Sequence, residues 1–145
     1  SALSNMGENE EAIKVYKEGI EQNPQDSSIF YNLGQTLSGF GRYDEAIEIY
    51  KKGIDRNPND LILYNSLGFI LLDFGRYDEA IEILERGVEH NPNAPSLYYD
   101  LGKAFSRSNR NDKAIEILSK ALNLSQEGSA HDAETYKSIE TLKKI

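Results

Sequence analysis

The sequence predicts an all-α protein built from repeated pairs of helices. The string GRYDEAIEI occurs at residues 41–49 and returns unchanged at residues 75–83, an offset of 34. Within each repeat, apolar residues recur every three or four positions, which is the spacing of one face of a helix. A fixed period of this size is typical of stacked helical repeats that share one apolar core.

Alignment at this period defines the repeats. Three columns recur along the chain: a small residue (Ala12, Ala46, Ala80, Ala114), a Leu-Gly pair (Leu33-Gly34, Leu67-Gly68, Leu101-Gly102) and an Asn-Pro pair (Asn23-Pro24, Asn57-Pro58, Asn91-Pro92). Full repeats therefore occupy residues 27–60, 61–94 and 95–128. Residues 1–26 are predicted to be a partial repeat, the end of a first helix plus a second helix, and residues 129–145 follow the last repeat.

Turn residues separate the two helices of each repeat. Gly41 and Gly75 supply the positive φ that ends a helix. Asp44 and Asp78 follow where the second helix starts, and we expect their carboxylates to cap its free N–H groups. The Asn-Pro pairs end the second helix, because proline disfavours helix at the residue before it.

The last repeat and the tail depart from this pattern. Asn109 stands in place of the turn glycine, and asparagine tolerates positive φ better than most residues. Pro95 suits the first turn of its helix. After Gly128 we expect the 34-residue register to end. Residues 129–145 are predicted to form a terminal capping helix that starts with a capping box of Ser129 and Asp132. Its predicted apolar face comprises Ala133, Tyr136, Ile139, Leu142 and Ile145.

A 34-residue helix–turn–helix repeat with these columns resembles the tetratricopeptide repeat. The residues that carry the resemblance are an aromatic (Phe30, Tyr64, Tyr98), the Leu-Gly pair, the turn Gly and Tyr (Gly41 and Tyr43, Gly75 and Tyr77), the small alanine, a large apolar residue (Tyr50, Leu84, Leu118) and the closing proline. The resemblance covers residues 1–128 and implies a right-handed α–α solenoid, a superhelix of 34-residue repeats. It also implies a protein–protein interaction module.

Composition excludes several classes of function. The chain has 16 Lys and Arg against 24 Asp and Glu, a formal charge of −8, and nucleic-acid binding needs cations at the phosphates. No apolar run approaches the ~20 residues that cross a bilayer. We therefore expect no nucleic-acid partner and no membrane insertion. The chain starts at Ser1 without a signal peptide, so we expect a fragment of a longer, cytoplasmic protein, although a cysteine-free chain suits either redox compartment.

Charge is uneven along the chain. Residues 1–94 hold 8 basic and 17 acidic residues, whereas residues 95–145 hold 8 and 7. The acidic part is either a solvated surface or a means of steering a basic partner segment.

Nothing in the sequence supports an enzyme, a cofactor or a metal site. The two histidines, His90 and His131, lie far apart, and neither has a second ligand or a carboxylate in a motif. The glycines stand singly at the repeat period rather than in a phosphate-binding loop. We therefore predict that the chain is not an enzyme.

The resemblance places ligands on the concave side, which the first helix of each repeat lines. Side chains of these helices outside the core columns are the predicted partner-binding residues: Tyr31, Asn32, Gln35, Asn65, Phe69, Leu72, Asp73, Tyr99, Lys103 and Arg107. Phe69 and Leu72 are unexpected apolar residues on a solvent face, where they either anchor a partner or pad a helix interface. Lys103 and Arg107 either hold a partner carboxylate or pair with Asp100.

One partner class known in the family is disfavoured. Some members hold the C-terminal carboxylate of heat-shock chaperones with a Lys/Asn/Asn/Lys/Arg set on these helices. In the corresponding columns this chain has Tyr31, Gln35, Ser66, Ser96 and Asp100, and none matches. We therefore expect another protein or peptide in the concave groove. The alternatives are a substrate-recruiting segment of a larger enzyme and a self-assembling structural scaffold.

One further column departs from the family pattern. Gly19, Gly53 and Gly87 stand where the family usually has alanine. Glycine inside a helix costs ~1 kcal/mol relative to alanine. Either a neighbouring helix approaches unusually closely at these positions, or the repeats are simply less stable.

The N-terminal second helix generates the first testable prediction. Its apolar residues Ala12, Ile13, Tyr16 and Ile20 would lack most of their cover, because only the tail of a first helix precedes them. The uncovered strip either results from truncation or is covered by a missing N-terminal part or another chain. We predict concentration-dependent self-association, measured by light scattering. A strictly monomeric profile at high protein concentration would contradict it.

Overall fold

The structure, a computed structural model, describes residues 2–125 and 130–145. These residues form eight α-helices: α1 (Ala2–Gln22), α2 (Ser27–Gly39), α3 (Tyr43–Arg56), α4 (Leu61–Asp73), α5 (Tyr77–His90), α6 (Pro95–Arg107), α7 (Asn111–Leu124) and α8 (Ala130–Lys143). No residue in these two ranges lies in a strand, so the predicted all-α fold class is confirmed. None of these helices is both long and apolar enough to cross a bilayer.

The chain divides into two compact units, an N-terminal unit of Ser1–Ser66 and a C-terminal unit of Leu67–Ile145. The predicted repeats 27–60, 61–94 and 95–128 contain the helix pairs α2–α3, α4–α5 and α6–α7. The boundary between the two units falls inside α4.

The two helices of a pair approach most closely at the glycine of the Leu-Gly column. In the N-terminal unit, the ring of Tyr50 occupies the space that a Cβ on Gly34 would need. In the C-terminal unit, a Cβ on Gly102 would lie 2.5 Å from Cδ2 of Leu118, well inside van der Waals contact. The large apolar residue of the second helix therefore packs directly on the backbone of the first. The pairs in this column are Gly34–Tyr50, Gly68–Leu84 and Gly102–Leu118.

The predicted core columns are buried. The side chains with almost no solvent exposure include Leu33, Leu37, Ala46, Tyr50 and Ile54 in the N-terminal unit, and Leu67, Ala80, Leu84, Leu101, Ala114 and Leu118 in the C-terminal unit.

The turns between paired helices follow the sequence prediction. Gly41 and Gly75 have φ values of +75° and +71°, and Asn109 has +62°. In the first of these turns the backbone N–H of Arg42 donates to the carbonyl of Leu37 at 2.9 Å. This bond satisfies a carbonyl that the end of α2 would otherwise leave without a donor.

The predicted caps of the second helices are wrong. Helix α3 begins at Tyr43 with Arg42 in the N-cap position and no side-chain cap bond, and α5 begins in the same way. Asp44 and Asp78 lie inside the first turn, where a carboxylate favours the positive end of the helix dipole. Side-chain capping occurs instead at α2, where Asp26 accepts a 3.0 Å hydrogen bond from a backbone N–H.

Arginines in the turns link neighbouring repeats by ion pairs. In the N-terminal unit, Arg42 Nη1 lies 2.7 Å from Glu10 Oε1 on α1, and the same guanidinium bonds Glu45 on α3. The hydrogen bond to Glu45 raises the pKa of Arg42 above its usual range. In the C-terminal unit, Arg110 Nη2 lies 2.8 Å from Asp78 Oδ1 on α5. These pairs are accessible to solvent, so each contributes at most ~1 kcal/mol to stability.

The N-terminal segment is a single helix rather than the end of one helix followed by a second. Helix α1 runs without a break from Ala2 to Gln22, through Gly7 in the turn-glycine column. Continuing the helix gains a backbone hydrogen bond for each added residue.

The expected apolar strip of α1 is partly covered. Ile13 is buried, and Tyr16 and Ile20 are half-buried, because α2 packs along α1 with Ile29 against Gly19. Met6 is 62% and Val15 55% exposed. Self-association through this helix stays a prediction.

The terminal helix α8 buries only part of the predicted apolar face. Thr135, Ile139 and Leu142 are buried, whereas Tyr136 and Ile145 are 61% and 85% exposed. The buried residues follow the 3.6-residue period of a helix, while a three-residue period drifts around it. Ser129 of the predicted capping box lies outside the described residues. Asp132 Oδ1 accepts a 2.6 Å hydrogen bond from Ser125 Oγ.

Gly19 and Gly53, which stand where the family usually has alanine, have different explanations. A Cβ on Gly53 would lie 2.8 Å from Phe30 Cβ and 2.9 Å from Leu63 Cδ1, so this glycine permits a close approach. A Cβ on Gly19 would meet Ile29 Cδ1 at 3.4 Å, an ordinary contact. Gly19 therefore has room for alanine, and its presence lowers the stability of α1.

These two positions make a matched pair of substitutions. We expect Gly19→Ala to raise the free energy of unfolding by about 1 kcal/mol, the gain in helix propensity. We expect Gly53→Ala to lower it by about 1 kcal/mol, because overpacking outweighs that gain. Urea denaturation followed by circular dichroism measures both. A stabilising effect of equal size at both positions would contradict the close approach at Gly53.

Candidate partner-binding surface

Helix α2, the first helix of the repeat at residues 27–60, presents a row of polar side chains. Tyr31, Gln35 and Ser38 are spaced by four and three residues and therefore share one face of α2. Gln35 Nε2 donates a 2.8 Å hydrogen bond to the Tyr31 hydroxyl. Tyr31 is half-buried, and Asn32 and Gln35 are exposed.

The hydroxyl of Tyr50 connects this row to α4. The ring of Tyr50 is buried between the paired helices, and its oxygen lies near the hydroxyls of Ser38 on α2 and Ser66 on α4. Burial, and to a smaller extent Tyr31, raise the pKa of Tyr50 to about 12, and the two serines oppose this shift. Side chains of three helices thus meet at one polar centre. We call the group Tyr31, Asn32, Gln35, Ser38, Asn65 and Ser66 the polar surface.

Asn65, on α4, has a buried acceptor atom without a donor. Its Oδ1 is inaccessible to solvent and has no hydrogen-bond partner within the described part of the chain. A buried polar atom left unpaired costs about 1–3 kcal/mol. Ser38 Oγ and Asn57 Nδ2 are likewise buried without a hydrogen-bond partner among the described residues.

Phe69 and Leu72, the two apolar residues predicted on the solvent face, differ in burial. Phe69 is 65% exposed, whereas Leu72 is only 4% exposed, so the prediction that Leu72 faces solvent is wrong. Arg107 Nη1 of α6 reaches to 3.5 Å from the Leu72 carbonyl, which places α6 beside the last turn of α4. Leu72 is therefore a packing residue. Asp73, at the end of the same helix, is exposed.

Tyr99, Lys103 and Arg107 on α6 all interact within the C-terminal unit. Burial and a hydrogen bond with Glu134 of α8 raise the pKa of Tyr99 to about 12. The Lys103 ammonium lies 5.3 Å from the centroid of the Tyr99 ring, within cation–π range. Arg107 donates to the end of α4, where a cation favours the helix dipole. Lys103 and Arg107 therefore do not form a ready-made binding site for a partner carboxylate.

Within residues 2–125 and 130–145, no group of three or more histidine, cysteine or acidic side chains is arranged to hold a metal ion. The side chain of His131 lies outside the described part.

A family model confirms the nature of the repeats. The model described as tetratricopeptide repeat matches residues 5–67 and 71–134. The chain belongs to the tetratricopeptide repeat family. It has no match among curated proteins.

Solved structures of other tetratricopeptide repeat proteins resemble this one. A crystal structure of MamA is 26% identical, with a TM-score of 0.76 over 97% of this chain and 75% of that chain. SycD, the type III secretion translocator chaperone of Yersinia enterocolitica, is 19% identical, with a TM-score of 0.73 over 81% and 92%. The first TPR of Spaghetti (RPAP3), bound to the HSP90 peptide SRMEEVD, is 20% identical, with a TM-score of 0.72 over 83% and 92%. At these low identities the last two show the shared fold alone.

Two side chains near the predicted site escaped the sequence analysis. Tyr50 stands in a core column that holds Leu84 and Leu118 elsewhere, and a hydroxyl there needs polar neighbours. Glu134 lies 34 residues after Asp100, so extending the tetratricopeptide register past Gly128 would have placed it beside α6. Because the repeat alignment was expected to end at Gly128, Glu134 was not recognised as a neighbour of α6.

The raised pKa of Tyr50 predicts a loss of stability in alkali. The unfolded phenol ionises near pH 10, whereas the folded one keeps its proton to about pH 12. The unfolded state therefore binds fewer protons than the folded state between these values, and stability falls as pH rises through them. We expect Tyr50 to account for a loss of about 1 kcal/mol between pH 8 and pH 11.

Urea denaturation of the wild type and of Tyr50→Phe at the two pH values measures this loss. The variant should lose less stability than the wild type over the interval. An identical loss in both proteins would contradict a raised pKa at Tyr50.

Proposed function

We propose that this chain is an interaction module that binds a segment of another protein on the exposed faces of its first helices. The observation that carries the proposal is the exposure of Phe69, which is 65% accessible on a helix whose other large apolar side chains are mostly buried. An aromatic ring left in solvent costs free energy, and such rings commonly form the energetic centre of interfaces. Within the N-terminal unit, the polar surface separately offers hydrogen-bonding groups to a partner.

Membership of the tetratricopeptide repeat family supports a binding role over a catalytic one. The Spaghetti (RPAP3) structure holds a peptide of HSP90, and SycD is a chaperone. In this chain the raised pKa values of Tyr50 and Tyr99 are explained by burial and by local electrostatic and hydrogen-bond interactions. If the chain is part of a larger enzyme, its role there is to recruit the substrate.

Self-association is a second candidate, favoured by the exposure of Met6 and Val15 on α1. A copy of the chain that covers this helix would remove both side chains from water. This role uses a different helix from the partner site, so the two functions are compatible.

The proposal is tested by substituting Phe69. We expect Phe69→Ala to weaken partner binding by about 2 kcal/mol, a loss of roughly thirtyfold, because truncating an aromatic anchor removes most of its contact area. The matched control is Phe74→Ala, which removes a ring that is 49% exposed in the turn after α4. Affinity capture from a lysate of the source organism, with quantitative mass spectrometry, identifies proteins retained by the wild type and the control.

The decisive observation is a protein lost with Phe69→Ala and kept with Phe74→Ala. Circular dichroism checks that both variants stay helical. Equal retention by all three proteins would move the binding site away from α4.

A further inference from the structure

We infer that the polar surface of the N-terminal unit binds an extended, uncharged segment of the partner, rich in Asn, Gln, Ser or Thr. This inference rests on the proposed function and specifies the partner chemistry at one of its sites. It separates this chain from adaptors that grip a terminal carboxylate.

The polar surface lies on helix α2 and on the first half of α4, and neither of these segments contains a charged residue. Helix α2, with the sequence SSIFYNLGQTLSG, contains no acidic or basic residue, and neither do residues 61–66 of α4. Helix α3, which packs behind α2, has seven charged residues in the sequence YDEAIEIYKKGIDR. An ionic partner group would lose water here without gaining an opposite charge on these helices, which is costly. Amide and hydroxyl groups of a partner lose less hydration free energy than an ionic group does, and they gain neutral hydrogen bonds.

The polar surface has unused hydrogen-bonding capacity. Gln35 uses one N–H on Tyr31, which leaves a second N–H and a carbonyl oxygen for a ligand. Asn32 is exposed on the adjacent face. On α4, the Oδ1 of Asn65 has no donor among the described residues. The polar surface thus offers both donors and acceptors, and the main chain of a peptide can use both.

The shape of the polar surface favours an extended segment over a helix. A docked helix needs apolar anchors spaced along its length. Helix α2, described throughout, exposes no large apolar side chain, and the nearby exposed one on α4 is Ile62, at 57%. A helix also bonds its own main-chain groups, whereas an extended segment offers them outward. The 13 residues of α2 span about 20 Å, a length that about six extended residues match.

The test selects ligands without assuming a sequence. A phage-displayed library of random peptides, each about twice that length, is panned over the full immobilised chain. Enriched peptides are synthesised, and their affinities are measured by fluorescence anisotropy at low and high salt. We expect peptides with an uncharged central stretch whose affinity is the same at both salt concentrations. Replacing a central Asn of the peptide with Asp, or a central Gln with Lys, should weaken binding about tenfold.

Matched protein variants place the peptide on the surface. Gln35→Glu adds one charge with almost no change of shape, and its carboxylate can accept from the Tyr31 hydroxyl, so the helix is retained. We expect it to weaken binding about tenfold. Gln22→Glu adds the same charge at an exposed position at the end of α1 and should leave the affinity unchanged. Tyr31→Phe removes the hydroxyl alone and should weaken binding severalfold.

The outcomes separate the inference from the proposed function. Uncharged peptides that are sensitive to Gln35→Glu support both. Peptides that depend on Gln35 but carry charged central residues and bind more weakly in high salt overturn the inference and leave the proposed function standing. Peptides that depend on Phe69 but not on Gln35 also overturn the inference and leave the proposed function standing. Failure to enrich any peptide that depends on Tyr31, Gln35 or Phe69 overturns both.

Discussion

The direct packing of a large side chain on a glycine backbone is the contact on which the rest of the fold depends. At Gly34, Gly68 and Gly102 a Cβ would collide with the side chain that the second helix inserts there. The missing Cβ sets the distance between the paired helices, and this distance fixes which residues are buried. Because the same contact recurs with the period of the sequence, the side chains that remain on the outer surface of each first helix also recur at regular positions. This packing therefore determines which side chains stay exposed and available to bind a partner.

Tyr50 shows how a core residue shapes the surface. In the other helix pairs the same position holds leucine. The leucine side chain fills the space next to the glycine and has no polar group that reaches beyond it. The tyrosine ring fills the same space, and its hydroxyl extends farther to the serines of α2 and α4. The N-terminal unit therefore has a polar centre where a leucine would leave an apolar one. The absence of charge on α2 then makes the surface neutral, although the whole chain carries a net charge of −8.

The sequence predicted the architecture better than the site. The repeat period, the paired helices and the positive φ at Gly41 follow from local residue types, because turn chemistry and helical spacing are encoded within a few residues. The course of α1, the burial of Leu72 and the hydrogen bond from Tyr99 to Glu134 depend on which helix lies alongside. A column pattern shows which face a residue occupies, but it does not show whether a neighbouring helix covers that face. For this reason the exposed Phe69 and the buried Leu72 looked equivalent in the sequence.

The ion pairs between repeats have a consequence for how the array can change in length. Arg42 pairs with Glu10, and Arg110 pairs with Asp78. In both cases the arginine of one turn meets an acidic residue 32 positions earlier. If recombination duplicated or deleted one 34-residue segment, each arginine would again face the acid of the repeat before it. Tandem gain or loss of repeats therefore creates no unmatched charge at the junction, and the interface need not be redesigned when a gene acquires another copy.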